Sequence, residues 1–385
     1  MPERVLRTIA QPTIDHRGPA FAELTLELLP AVSRVFATSG PVVIYPSSGT
    51  GAWEAALVNV LDPGDRVLAF ETGHFAALWQ AMAIKLGLRV ELVPGDWRRG
   101  VQPEDVHERL TADRGHAIKA VIVVHNETST GVTSRIAEVR AAIDAAGHPA
   151  LLLVDVISSL ASIDYRHDEW GVDVTVGGSQ KGLMLPPGLG FNAVSAKALD
   201  AATRRGLPRS YFDWGAVIAA NRDGMFPYTP ATNLLYGLRE AIAMLEEQTL
   251  AVVFARHQRH AAATRAAVQA WGLEVLCRDD REHSAALTAV VMPEGHDADA
   301  GRDLILDRFD MSLGAGLGRL RGRVFRIGHL GDFNDLMLAG TLCGVEMGLR
   351  LGGVPVAGSG VSAALGRLQA GVAAAGVTAG APSRS

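Results

Sequence analysis

Lysine is scarce in this chain. Of 36 basic residues only Lys85, Lys119, Lys181 and Lys197 are lysine, and the rest are arginine. Cysteine is scarcer: Cys277 and Cys343 are the only two, which excludes a disulfide framework and fits a reducing cytoplasm. No Cys/His spacing suits a zinc site. No apolar run reaches the ~20 residues of a membrane-crossing helix, and Met1–Val5 holds no apolar signal region. Neither sign of charge is in marked excess. A net charge of −5 offers no basic surface for nucleic acid or an anionic membrane. These absences point to a cytoplasmic globular protein, and 385 residues suffice for two domains.

The expected elements alternate. Residues 21–38 carry helical spacing, and Val42–Tyr45 is a β-type run broken at Pro46-Ser47-Ser48-Gly49-Thr50-Gly51. Helix is expected over 52–61, 75–86, 103–110 and 136–146. Strand is expected over 66–70, 89–93, 120–124, 151–154 and 172–176. These strands are short, continuous and rich in Val, Ile and Leu, as strands buried on both faces are; a mainly parallel sheet wrapped by helices follows. One long helical stretch, 235–269, leads into a smaller α+β region with strands at 286–292 and 324–327 and a helix near 300–309. The divisions expected are an N-terminal segment 1–20, a large domain 21–235, a small domain 236–355 and an Ala/Gly-rich tail 356–385 with a helical piece near 361–374. His257 and His260, three apart among arginines, are read as a solvated helix face rather than a metal site.

Three features carry chemistry. Ser47-Ser48-Gly49-Thr50-Gly51 lies between a strand and a helix, where small residues let backbone N–H groups approach an anion. The same segment could be a plain N-cap and turn. It is not a Walker A loop, and neither it nor Gly314-Ala315-Gly316-Leu317-Gly318 has dinucleotide spacing. Asp155 ends the apolar run Leu151-Leu152-Leu153-Val154. A carboxylate there is costly unless paired. It either caps the turn Val156–Ser159 or meets a cationic ring nitrogen of a cofactor. Lys181 is the sole charge in Gly177–Gly188. In a chain that otherwise uses arginine, it marks a need for a primary amine, the group that attacks a carbonyl. Anion loop, strand-end Asp and lysine, in this order, form the set required by pyridoxal phosphate.

Five stretches extend that reading: Pro46–Ala56, His125-Asn126-Glu127-Thr128-Ser129-Thr130-Gly131-Val132, Val154–Ser159, Gly178-Ser179-Gln180-Lys181-Gly182 and Phe325-Arg326-Ile327-Gly328-His329. Together they resemble the class V aminotransferases, and most of all the glyoxylate aminotransferases that take an amino group from serine or aspartate. The resemblance implies an α/β fold of fold-type I, with a large mainly parallel domain and a smaller C-terminal α+β domain. It implies pyridoxal 5′-phosphate as cofactor and Lys181 as the lysine that holds its aldehyde. It places Asp155 on the ring nitrogen, Ser48, Gly49, Thr50 and Gln180 at the phosphate, and Thr128 at the ring hydroxyl. Phe75 would stack on the ring, and Arg326 would clamp the substrate carboxylate. The family is a homodimer with its active site at the interface, so Thr229 would reach the partner subunit's phosphate.

Two departures stand out. Relatives carry a further Pro-Gly-Pro-Thr-type segment before the stretch that here opens Met1-Pro2-Glu3. Residues 1–20 are therefore expected to be short for the family, through a misassigned start or a differently built pocket. Val156 also stands where relatives often have glycine. The activity implied is transfer from serine, or next from aspartate, to glyoxylate. Alternatives are an alanine–glyoxylate aminotransferase, a lyase, a desulfurase using Cys277 or Cys343, and a non-catalytic cofactor-binding protein.

Overall fold

The computed structural model describes residues 1–204 and 206–376. It divides the chain into two compact units: Met1–Thr128 with Val132–Val253, and Ser129–Gly131 with the chain from Phe254 onward.

Among the described residues the first unit holds nine strands: β1 (Val42–Ser47), β2 (Arg66–Phe70), β3 (Arg89–Val93), β4 (Ile118–Val124), β5 (Asn126–Glu127), β6 (Val132–Thr133), β7 (Leu151–Asp155), β8 (Val174–Gly178) and β9 (Gly188–Val194). Seven form one sheet in the order β1-β9-β8-β7-β4-β2-β3, and β5 and β6 pair as a small hairpin. The sheet is parallel except at β9, which runs against both its neighbours. Strand β9 was not expected from the sequence. Gly188 and Gly190 interrupt its apolar run just after Pro186-Pro187, and β-propensity is weak there.

Both faces of the sheet are buried, which explains the unbroken apolar runs. Val42, Ile44, Leu152 and Val154 enter one core layer; Val43, Tyr45, Leu151 and Leu153 enter the other. Helices α1 (Glu3–Ile9), α2 (Pro19–Val35), α3 (Gly49–Val60), α4 (His74–Lys85), α5 (Pro103–Ala112), α6 (Ile136–Ala145), α7 (Ala196–Arg204), α8 (Trp214–Asn221) and α9 (Thr232–Gln248) complete the unit. Helices α3 and α4 line one layer, whereas α2, α5, α6 and α9 line the other.

The expected helix 235–269 is two helices. Thr249, at φ 69, ends α9 before α10 (Leu250–Ala270) begins. Leu235, Leu238, Ile242 and Leu245 pack with Val5 and Leu28 in the first unit's core. Arg4 pairs with Glu240 and Glu247 at 2.7 Å across α1 and α9. Residues 236–253 therefore pack with the larger unit and not with the smaller domain.

In the second unit, β10 (Glu274–Val275), β11 (Leu287–Val291), β12 (Gly314–Ala315) and β13 (Val324–Gly328) form an antiparallel sheet in the order β10-β11-β13-β12. Helices α11 (Ala298–Phe309), α12 (Asp335–Leu351) and α13 (Gly360–Gly376) accompany it, and Ala364 and Leu368 of α13 enter its core. His257 and His260 are fully buried here, against the expectation of a solvated face. His257 Nε2 meets the Gly331 carbonyl at 3.2 Å, and His260 Nε2 meets Asp335 Oδ1 at 2.8 Å. These partners lie more than 70 positions away in sequence, so the arginines around the two histidines misrepresented their environment.

Candidate active site

Four segments leave the same edge of the large sheet, the carboxyl ends of its parallel strands, where open α/β folds bind ligands. β1 leads into α3, β4 into the β5–β6 hairpin, β7 ends at Asp155, and β8 runs out toward Gln180 and Lys181. In β9, Gly188 faces Ser47 and Gly190 faces Gly178, so the ends of β1 and β8 lie one strand apart.

The start of α3 is an open anion cradle. Ser48, its N-cap, makes no side-chain cap, so the first-turn N–H groups have no internal acceptor. Gly49 is buried and Thr50 exposed. A Cβ on Gly49 would stand 2.2 Å from Ile157 Cδ1, and only glycine lets α3 begin so close. A Cβ on Gly178 would lie 3.1 Å from Gln180 Oε1 and 3.7 Å from Gly49 Cα, which brings Gln180 to the mouth of the cradle. Gln180 Oε1 is buried and has no partner. An amide can present either its oxygen or its N–H₂ there. An uncapped helix start beside an unsatisfied amide suits a phosphate.

Asp155 is buried at the floor. Its Oδ1 accepts the Ile157 N–H at 2.6 Å, and its Oδ2 accepts the Trp53 indole N–H at 2.9 Å. Burial pushes its carboxyl up to about 7; the two donors and the Lys181 charge pull it back, while Glu127 pushes it further up. A carboxylate held this far from water stabilises a cation placed against it. The donor set therefore fits a protonated ring nitrogen. The alternative from sequence, a carboxylate that only caps the following turn, covers one of its two oxygens.

Glu127 joins two predicted residues. Its carboxylate accepts the backbone N–H of Phe75 at 3.3 Å and of Ala76 at 3.0 Å. It thus sits on the positive end of α4 and ties the turn holding Thr128 to the helix holding Phe75. Phe75 is half-buried, its ring 6.5 Å from that of Trp53. His125 bonds Ser159 Oγ at 2.9 Å, and burial pushes its imidazole down to about 4, so it is neutral.

The structure gathers Ser48, Gly49, Thr50, Phe75, Thr128, Asp155, Gln180 and Lys181 at the strand ends. Thr229 is exposed in the loop before α9; its neighbour Tyr228 donates to the Ile44 carbonyl at 3.0 Å. Arg326 belongs to the second unit, on β13, where its Nε donates to the Ala315 carbonyl at 2.8 Å. Trp53, Glu127 and Ile157 were not assigned roles from the sequence. Trp53 carried the one available signal, lying four residues after Gly49 and so on the same face of α3.

Residues 13–316 match the family model described as Aminotransferase class-V. The chain belongs to the class V aminotransferases. It is 50% identical over 371 residues to a serine–glyoxylate aminotransferase of Methylorubrum extorquens, covering 94% of this chain and 92% of that protein. An L-aspartate–glyoxylate aminotransferase of Paracoccus denitrificans is 45% identical, with 94% and 92% covered. Among solved structures, pyridoxamine-pyruvate aminotransferase from Mesorhizobium loti superposes with a TM-score of 0.91 at 28% identity, covering 96% of this chain and 94% of that one. This class V chain is an aminotransferase of fold-type I, and pyridoxal 5′-phosphate is its cofactor.

Proposed function

We propose that this aminotransferase moves the amino group of L-serine to glyoxylate, giving hydroxypyruvate and glycine, with L-aspartate as the next-best donor. The observation that carries the reading is the convergence of an uncapped α3 start, a buried Asp155 and Lys181 on one sheet edge. The order of donors follows the relatives: 50% identity to a serine-named enzyme against 45% to an aspartate-named one.

Bound pyridoxal phosphate supplies an electron sink for the bonds of an amino acid's α-carbon. The chain does the rest. The N–H groups of Gly49 and Thr50, with the Ser48 hydroxyl and the Gln180 amide, hold the phosphate. Asp155 keeps the ring nitrogen protonated. Thr128 takes the ring hydroxyl side, and Phe75 covers a ring face. The Lys181 amine would hold the aldehyde and, when free, its Nζ would take the proton from the substrate's α-carbon and deliver it to the former aldehyde carbon. Arg326 receives the substrate carboxylate as a bidentate partner. We assign residues 21–235 as the core of the cofactor-binding domain, a homodimer in which Thr229 serves the partner subunit's phosphate, and a cytoplasmic location. No helix among the described residues is long and apolar enough to cross a membrane.

A desulfurase reading finds no support in Cys277. Cys277 is buried and its thiol is pushed up to about 12 by that burial, so it is not a thiolate nucleophile. The decisive assay follows glycine formed from glyoxylate with each donor. Serine should give the highest kcat/KM and aspartate a lower one. Equal or greater turnover of aspartate or alanine overturns the donor assignment, and no turnover of any donor overturns the transaminase reading.

A further inference from the structure

Helix α3 does two things at once. Its first turn presents Gly49 and Thr50, and one turn later on the same face it presents Trp53. The Trp53 indole N–H donates to Asp155 Oδ2 at 2.9 Å, across 102 positions of sequence. Trp53 is itself immobilised. It is 2% exposed and stacks on Trp79 with ring centroids 5.8 Å apart and planes 12° from parallel. Phe75 approaches the same indole at 59°. Phe75 and Trp79 are four apart on α4, so one face of that helix backs both the indole and the proposed ring-stacking position.

The other oxygen of Asp155 is held by the Ile157 backbone, an interaction no side-chain change can remove. The orientation of the carboxylate therefore depends on one replaceable donor. Without Trp53, Oδ2 loses its neutral partner and the carboxyl plane is free to turn about the Ile157 bond. A charge-assisted bond from an indole also favours the ionised carboxylate, the form able to pair with a cation. Because α3 is a single rigid element, it fixes the separation between the phosphate cradle and this carboxylate.

We propose that Trp53 is a positioning residue for the cofactor ring: through its indole N–H it aims the Asp155 carboxylate at the ring nitrogen, in register with the phosphate cradle at the start of the same helix. This rests on the pyridoxal phosphate reading of the site. Trp53→Phe keeps an aromatic ring on Trp79 and removes only the donor. The measurement is the pyridoxal phosphate dissociation constant of protein stripped of cofactor, by equilibrium dialysis, in four forms: wild type, Trp53→Phe, Asp155→Asn and the double variant. Loss of a hydrogen bond to a charged group predicts about tenfold weaker binding in Trp53→Phe, or more. The same substitution should have little effect in the Asp155→Asn background, because a positioning residue acts only through the group it positions. Equal weakening in both backgrounds means a packing role and overturns the proposal, as does unchanged affinity in Trp53→Phe. Where Trp53→Phe does not fold, Trp79→Phe serves in the same cycle: it loosens the stack but leaves the donor. Its smaller loss should likewise vanish in the Asp155→Asn background, and persistence there overturns the proposal. If the wild-type protein takes up no pyridoxal phosphate, the cofactor reading fails, a result distinct from either outcome of the cycle.

Discussion

Asp155 shows how a residue can be suited to its ligand at the expense of the unliganded fold. Its carboxyl, pushed up to about 7 by burial, is protonated below that pH in the folded chain. In the unfolded chain it titrates near ~3.9. A raised folded value means its contribution is fully present below about pH 4 and is lost as pH rises through about 7. A rise of roughly three units corresponds to up to about 4 kcal/mol between those limits. Asp155→Asn removes this dependence, although an amide can accept from only one of the two donors at Ile157 and Trp53. Relative to wild type, unfolding of the cofactor-free Asp155→Asn protein should therefore gain up to about 4 kcal/mol of stability on going from pH 4 to pH 8. Urea unfolding at both pH values checks this. A difference that does not change with pH would show that Asp155 is not strained by burial. Trp53 could not be joined to this residue from the sequence, because a hydrogen bond over 102 positions leaves no periodic trace.

At the scale of elements, α3 depends on having no side chain at its start. The 2.2 Å approach that a Cβ at Gly49 would make to Ile157 Cδ1 cannot be accommodated without moving the helix or the isoleucine. Gly49→Ala should destabilise the protein by about 1–3 kcal/mol, the range for overpacking a tight site. It should also weaken pyridoxal phosphate binding, because the N–H groups of the cradle move with the first turn. Adding Ile157→Ala relieves the clash and should recover part of both losses. Gly49→Ala with unaltered cofactor affinity would show that the start of α3 does not hold the phosphate. The glycine-rich segment could be read either as an anion loop or as a plain N-cap and turn, because small residues between a strand and a helix serve both. The role of Ile157 was not, since nothing in a sequence says which distant side chain fills the space a glycine leaves open. The break between α9 and α10 was missed for a related reason. Thr249 is not a residue expected at positive φ, and the apolar positions on either side continue the helical rhythm.

For the molecule as a whole, the fold was readable where burial is two-sided and continuous, as in β4 and β7, and unreadable where glycine or proline interrupts a strand, as in β9. The candidate site could be proposed from the sequence because rare chemistry stands out: one lysine among glycines, one aspartate after four apolar residues. What joins those residues is the topology of the sheet, which carries β1, β4, β7 and β8 to one edge. The proposed role of Lys181 at this edge is a transamination that begins with L-serine. It is tested most directly by the visible absorbance of the pyridoxal phosphate-loaded protein on addition of L-serine alone. Serine should discharge the band within a single turnover, glyoxylate should restore it, and Lys181→Ala should slow this exchange by several orders of magnitude while still binding the cofactor. A band that serine leaves unchanged, or a Lys181→Ala protein that exchanges as fast as wild type, would contradict it.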